Sequence, residues 1–175
     1  MIERRAILLI AAGLLLASCT APSVPPDYTG PLAHLTDSVT PRDTRSTDFF
    51  YVSRIGDFPV DDSIAATEGS NRAAGLDKKP VVIERDVPAL PAIFTINGIT
   101  HYAAPLLAFT NPAYEISGQV SFTPVANHAY VVKGQLSETY SAVWIEDKET
   151  GAVAGAKIEI KGTASLGVLG KLGIH

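Results

Sequence analysis

The chain is short of cysteine and of basic residues, and each shortage excludes a class of structure or partner. With one cysteine among 175 residues, neither an intramolecular disulfide nor a cysteine-rich zinc site can form. The 14 basic residues are outnumbered by 18 acidic ones. Because phosphate binding needs a basic face, this balance argues against a nucleic-acid partner. The length leaves room for one domain of ordinary size.

The first 18 residues have the organisation of an export signal. Arg4 and Arg5 form a short positive segment, and an uncharged run from Ala6 to Ala17 follows it. As a helix rising about 1.5 Å per residue, that run would be roughly 18 Å long, well short of a hydrocarbon core of about 30 Å. We therefore expect a cleavable signal peptide over residues 1–18. An uncleaved anchor helix and a buried core helix are the alternatives.

The apolar run ends in Leu16-Ala17-Ser18-Cys19, which resembles the lipobox of bacterial lipoproteins. The resemblance implies cleavage between Ser18 and Cys19 and a diacylglycerol group, with fatty acyl chains such as palmitate, on the Cys19 thiol. Several acyl chains on one residue anchor a protein stably, whereas one chain binds only reversibly. Thr20 stands where an Asp usually signals inner-membrane retention in Gram-negative members. The resemblance thus implies a cell-envelope protein, on the outer membrane facing the periplasm if the host is Gram-negative.

The composition changes after the lipobox, and residues 19–47 are predicted to form a disordered, lipid-anchored tether. The stretch is rich in Ser, Thr and Asp, has little periodicity, and contains five prolines: Pro22, Pro25, Pro26, Pro31 and Pro41. Such a composition buries too little apolar surface to offset the entropy of ordering. About 25 extended residues at roughly 3.1 Å each would hold the domain up to about 80 Å from the membrane.

Residues 48–161 are predicted to be mainly β, as a small antiparallel β-sandwich or barrel with one short helix. Short β-rich runs recur along this part, separated by turn residues. The helix is expected over residues 64–74, because Asp61 and Asp62 can cap its first amide groups. Asn97-Gly98 lies between two strand-like runs and is typical of a type I′ hairpin turn.

Residues 162–175 form a Gly-rich tail of uncertain pairing. Leucines recur every three residues there, but glycines between them disfavour a helix. An edge strand, a loose end, and docking on a partner or membrane all stay open.

Aromatic residues suggest where a ligand would bind. Tyr130 and Trp144 lie inside apolar runs, which favours core packing. Tyr102 and Tyr140 lie beside predicted strands and are candidates for a surface that stacks against sugars or peptides. No nucleophile elbow, phosphate-binding loop or dinucleotide-binding glycine pattern occurs, so we predict no catalytic site and no cofactor.

The charged and histidine residues do not form a recognisable metal site. The four histidines lack paired ligand spacing: His34, His101, His128 and His175. The acidic pair Glu146-Asp147 leads into a turn, where Asp is favoured for backbone hydrogen bonding. We therefore predict no metal. A small envelope hydrolase that uses His101 or His128 with a nearby carboxylate is the enzymatic alternative.

A second resemblance covers part of the C-terminal half. Phe122-Thr123-Pro124, the run from Tyr130 to Gly134, and the run from Val143 to Asp147 are similar to uncharacterised bacterial lipoproteins with a small transthyretin-like or PEGA-like β-domain. That resemblance implies a fold more than an activity.

Together these features predict a membrane-anchored, non-enzymatic envelope lipoprotein that binds or helps to assemble another envelope component. The partners expected are the membrane, through lipid on Cys19, and an envelope protein or cell-wall component. The first alternative is a module that binds glycan or peptidoglycan through Tyr102 and Tyr140.

Overall fold

The computed structural model describes residues 22–71 and 79–166, so the predicted signal peptide, Cys19, and residues 167–175 lie outside the described residues. In chain order, the elements are β1 (Leu32–Thr36), β2 (Ser38–Pro41), β3 (Ser46–Ile55), β4 (Phe58–Pro59), α1 (Ser63–Ser70), β5 (Glu84–Pro88), β6 (Ala92–Tyr102), α2 (Pro105–Thr110), β7 (Glu115–Phe122), β8 (Ala129–Gln135), β9 (Tyr140–Asp147) and β10 (Val153–Lys161).

The strands form two sheets, which confirms the predicted mainly β sandwich. The first sheet has the order β10-β9-β8-β1-β5, and the second has the order β2-β3-β6-β7, with β4 paired to β3. Most pairings are antiparallel, but β1 and β8 run parallel. The inward side chains of both sheets share one apolar core, with Leu35, Val52, Phe94, Ile116 and Val143 among its fully or almost fully buried members.

The ordered domain begins earlier than predicted, and the tether boundary at residue 47 is wrong. Strands β1 and β2 lie inside the predicted tether, and β1 is inserted between β8 and β5. Ala33 and Leu35 on β1 are buried in the core. The alternation of Ala33, His34 and Leu35 is a strand pattern, and burial of its apolar members offsets the ordering entropy. The prolines that suggested disorder flank these strands or end them.

The chain crosses from the first sheet to the second at Asp37, between β1 and β2. The Asp37 side chain is fully buried and pairs with Arg85 on β5, at 2.8 Å from Nη2 to Oδ2. It also accepts hydrogen bonds from the Val52 amide (3.2 Å) and from the Ser63 hydroxyl (2.8 Å). Desolvation raises the pKa of Asp37 to about 6, against the attraction of Arg85. This buried group joins both sheets to the start of α1.

The predicted hairpin turn at Asn97-Gly98 is wrong, because β6 continues through both residues. Strand β6 pairs with β3 on one side and with β7 on the other, so these residues lie in the interior of a sheet. Gly98 leaves room for Phe50, whose ring would lie 3.0 Å from a Cβ added there. The Asn97 amide donates to the Ser53 hydroxyl and accepts from Ser117. Gly98 therefore serves packing against Phe50, and Asn97 serves hydrogen bonding between neighbouring strands.

Two short helices lie within the part of the chain that the structure describes. Helix α1 begins at Ser63, one residue before the predicted start at residue 64, and the Asp62 carboxylate accepts hydrogen bonds from the amides of Ile64 and Ala65. It ends at Ser70, and the predicted end at Ala74 lies outside the described residues. Helix α2, which was not predicted from the sequence, links β6 to β7. Neither helix has the length and apolar character needed to cross a bilayer.

The first residues of the predicted tail are paired. Ser165 bridges to Tyr114 in antiparallel register, and the Leu166 amide donates to the carbonyl oxygen of Ala113 at 2.8 Å. Residues 162–166 thus extend the edge beside β7.

The strands end at two opposite ends of the sandwich, which we name by their contents. The Pro-rich end comprises residues 22–31, 56–57, 89–91, 123–128 and 148–152, and the α2 end comprises residues 42–45, 103–114, 136–139 and 162–166. The N-terminal segment enters the domain at the Pro-rich end, where Pro22 and Ser23 line one groove with Ile55 and Leu90.

Candidate functional site

A cleft of about 280 Å³ lies at the α2 end, between the β2–β3 turn and α2. Its lining residues come from both segments and from the end of β6: Asp43, Thr44, Arg45, Tyr102, Leu107 and Asn111. It therefore combines a carboxylate, a guanidinium and an amide with an apolar wall.

Local hydrogen bonds fix the β2–β3 turn that forms one wall of this cleft. The Asp43 carboxylate accepts from the Arg45 amide at 2.7 Å, and this backbone hydrogen bond lowers the pKa of Asp43. The Arg45 carbonyl oxygen in turn accepts from the Ala103 amide at 2.9 Å. The turn is thus bound to the chain that leaves β6, and the cleft is formed by connected backbone.

Helix α2 forms the opposite wall and exposes apolar side chains. Pro105 is at its start, where a missing amide hydrogen costs nothing. The Asn111 amide donates to the Leu107 carbonyl oxygen at 2.7 Å and so satisfies one group at the helix end. On the surface of α2, Leu106 is 75% exposed and Phe109 is 43% exposed.

A polar network beneath the cleft closes the core at the α2 end. The Arg42 guanidinium donates to both carboxylate oxygens of Asp48 and to the Leu136 carbonyl oxygen, and it lies 5.2 Å from the centre of the Tyr114 ring. Thr100 donates to the same carboxylate at 2.7 Å. The hydrogen bond and charge of Asp48 raise the pKa of Arg42 further, against desolvation by burial. This Arg42–Asp48–Thr100 network joins β2, β3, β6 and β8.

Tyr102 is buried, so the prediction that it is an exposed aromatic residue is wrong. Only 8% of it is exposed, and its hydroxyl donates to the Pro112 carbonyl oxygen at 2.7 Å. Burial raises its pKa. On β6 the side chains of Phe94, Ile96 and Thr100 face the core, and Tyr102 continues this series. Its ring therefore supports the cleft from below and offers little surface for stacking.

A second surface lies on the outer face of the first sheet, around Tyr140 and Trp144. The prediction that Trp144 packs in the core is wrong: Val143 and Ile145 take the inward positions of β9, so Trp144 points outward and is half-buried. Tyr140 is on the same face, as expected for residues four apart on a strand. Tyr130, in contrast, is in the core as predicted.

Neighbouring charged groups already contact the two outer aromatic rings. The Lys157 ammonium lies 4.4 Å from the centre of the Trp144 ring and 5.5 Å from that of Tyr140. The Tyr140 hydroxyl donates to Glu159 at 2.8 Å, and the Trp144 indole donates to Glu146 at 3.2 Å. A sugar stacking here would have to displace Lys157.

Three of the histidines within the described residues form pairs with carboxylates. His34 Nδ1, on β1, lies 2.6 Å from Asp86 Oδ1 on the neighbouring strand β5. His128 Nδ1 lies 2.8 Å from Asp147 Oδ2, and this contact raises the pKa of His128 and lowers that of Asp147 to about 2. The pair joins the β7–β8 turn to the end of β9. His101 Nε2 lies 2.9 Å from Glu68 Oε1 and joins β6 to α1. All three pairs connect different elements of the fold.

No metal-binding group of three or more His, Cys, Asp or Glu residues occurs within residues 22–71 and 79–166. No protein family, no curated protein and no solved structure matches this chain.

Proposed function

We propose that this protein is a lipid-anchored envelope lipoprotein, held by acyl chains on Cys19, that binds another envelope protein through its α2 end. The observation that supports this proposal is the position of Pro22. It lies at the Pro-rich end, opposite the cleft and α2. An anchor three residues before Pro22 leaves the α2 end facing away from the membrane.

The surface of the α2 end has the composition of a protein–protein contact. Exposed Leu106 and Phe109 provide apolar area, and Asp43, Arg45 and Asn111 surround the cleft beside them. Apolar residues with a polar surround are the usual arrangement in protein interfaces. The geometry offers a binding surface of connected elements, and we propose a non-enzymatic role for it.

The anchor is tested by the intact mass of the protein extracted from bacterial membranes. We expect loss of the first 18 residues and added lipid mass on Cys19, with neither change in Cys19→Ala. An uncleaved chain without added mass would overturn the lipid anchor.

The binding surface is tested by photo-crosslinking of the full-length protein in intact cells. A crosslinking side chain at Asn111 should give one defined partner, and the same side chain at Glu84, an exposed position on β5, should not capture it. Leu106→Asp should abolish the product from position 111 without unfolding the domain, because Leu106 is mostly exposed. Equal capture from both positions, or capture unaffected by Leu106→Asp, would exclude the α2 end as the binding surface.

Glycan binding on the outer face of the first sheet is the second candidate. Two aromatic rings on one face, Tyr140 and Trp144, favour it. Sedimentation with purified cell wall should then be lost in Tyr140→Ala and Trp144→Ala and strengthened in Lys157→Ala, which uncovers both rings. Unchanged sedimentation in all three variants would remove this surface from consideration.

A further inference from the structure

We infer that the Pro-rich end docks on the lipid bilayer that holds the acyl chains of Cys19, so that the domain lies against the membrane and not at the end of a long tether. This inference rests on the lipid anchor proposed above. It adds a contact surface and an orientation that lipidation alone does not supply.

The first argument is the length of chain between the anchor and the domain. Only Thr20 and Ala21 separate Cys19 from Pro22. At no more than about 3.6 Å per residue, the Cα atom of Cys19 lies within about 11 Å of that of Pro22. The chain from Pro22 onwards belongs to the domain. The predicted tether of about 25 extended residues, which would hold the domain away from the membrane, is therefore not available.

The second argument is that the entering segment is bound to the Pro-rich end. The Tyr28 hydroxyl donates to the Pro31 carbonyl oxygen at 2.9 Å, and that oxygen also accepts from the Ala89 amide at 3.0 Å. Pro22 and Pro25 line a groove of about 190 Å³ together with residues of β3, β4 and β6. These contacts keep the segment from extending away from the sandwich.

The third argument is the apolar surface that surrounds this segment. Phe58 and Leu90 line the same groove and are 65% and 50% exposed. A second groove, of about 330 Å³, is lined by exposed Ile93 and shares Pro91 and Ala92 with the first. Large apolar side chains exposed together mark an interaction surface. Here the covalent link places lipid within reach of them.

The charges at this end favour lipid insertion over electrostatic attraction. Asp27, Asp57 and Glu149 are exposed there. Arg54 donates to the Asp57 carbonyl oxygen, and the Lys148 ammonium donates to the Thr36 hydroxyl at 2.9 Å. This is not the cluster of basic residues that binds anionic lipid. Docking should therefore occur on neutral phosphatidylcholine and should not weaken when salt is added.

The test uses the single tryptophan of the chain. In the full-length, lipid-modified protein carrying Trp144→Phe, a tryptophan is introduced either by Phe58→Trp at the Pro-rich end or by Leu106→Trp at the α2 end. Both sites are exposed, so the fold tolerates each change. Each protein is reconstituted into phosphatidylcholine vesicles with or without brominated acyl chains, which quench tryptophan on contact.

We expect brominated lipid to quench the Phe58→Trp protein and to leave the Leu106→Trp protein unchanged. If intact mass confirms the lipid but neither protein is quenched, the docking inference fails while the proposed anchor stands. Equal quenching of both proteins would also overturn it, because the domain would then have no fixed orientation. Absence of lipid mass would instead overturn the proposed anchor.

Discussion

The Pro-rich end and the α2 end close the same core by different forces. At the α2 end, the Arg42–Asp48–Thr100 network closes the core with directional hydrogen bonds. At the Pro-rich end, prolines and apolar side chains such as Phe58 and Leu90 do so, and much of their surface stays exposed. A hydrogen-bonded closure is complete by itself, whereas an apolar closure leaves surface that gains by further burial. This difference predicts that mutations at the α2 end lower the stability of the domain, whereas mutations at the Pro-rich end change its contact with lipid.

The largest loss of stability is expected at Asp37, which lies between the two ends where the chain crosses from the first sheet to the second. Asp37→Asn removes the counter-charge of buried Arg85 and should lower the free energy of unfolding by about 3–5 kcal/mol. Urea unfolding followed by circular dichroism measures this loss. Asp37→Asn combined with Arg85→Met should cost less than Asp37→Asn alone, because no buried charge is left. Equal losses would show that the charge of Arg85 is not the cause.

A smaller loss of stability is expected when the Arg42–Asp48–Thr100 network at the α2 end is disrupted. Asp48→Ala leaves the partly buried Arg42 without its carboxylate and should cost about 2–3 kcal/mol. Thr100→Val removes only one hydrogen bond to that carboxylate and should cost about 1 kcal/mol. Chemical denaturation of both variants tests the order. If Thr100→Val cost as much as Asp48→Ala, packing and not the ion pair would close this end.

The matched substitution at the Pro-rich end should scarcely change stability. Phe58→Asp is at an exposed site and should alter the free energy of unfolding by no more than about 0.5 kcal/mol. The same change should push the domain away from the bilayer, which a lipid-quenching measurement on a tryptophan introduced by Leu90→Trp, with Trp144→Phe, would detect. A large loss of stability would mean that Phe58 belongs to the core and not to a docking surface.

The smallest effect concerns the His128–Asp147 pair at the Pro-rich end. The pKa of His128 is raised by Asp147, so this stabilisation is present below His128's ordinary value of 6.5 and is lost as pH rises through the folded pKa. The pKa of Asp147 is lowered to about 2, so its share is present above 3.8 and is lost as pH falls towards 2. His128→Asn should therefore lower Tm more at pH 5 than at pH 8. A difference that is independent of pH would contradict the pairing.

The sequence by itself determined the features that depend on local pattern. Alternating apolar residues predicted a mainly β sandwich, because a strand places alternate side chains in the core. Asp62 indicated the start of α1, because a side-chain cap acts on amide groups only two or three residues away. The lipobox is also local, so the expected lipid on Cys19 stays a prediction from four residues.

Only the tertiary structure decided the features that depend on distant partners. Asn97-Gly98 favours a turn locally, but strands on both sides hold it extended. Ala33 and Leu35 lie in a proline-rich stretch, but β1 pairs with β5 and β8, more than 45 residues away, and its apolar side chains are buried in the core that both sheets share. Tyr102 and Trp144 exchanged their expected environments because the face of each strand that packs inward is set by the opposite sheet. The two ends of the sandwich, and with them the candidate binding and docking surfaces, follow from how residues far apart in sequence meet.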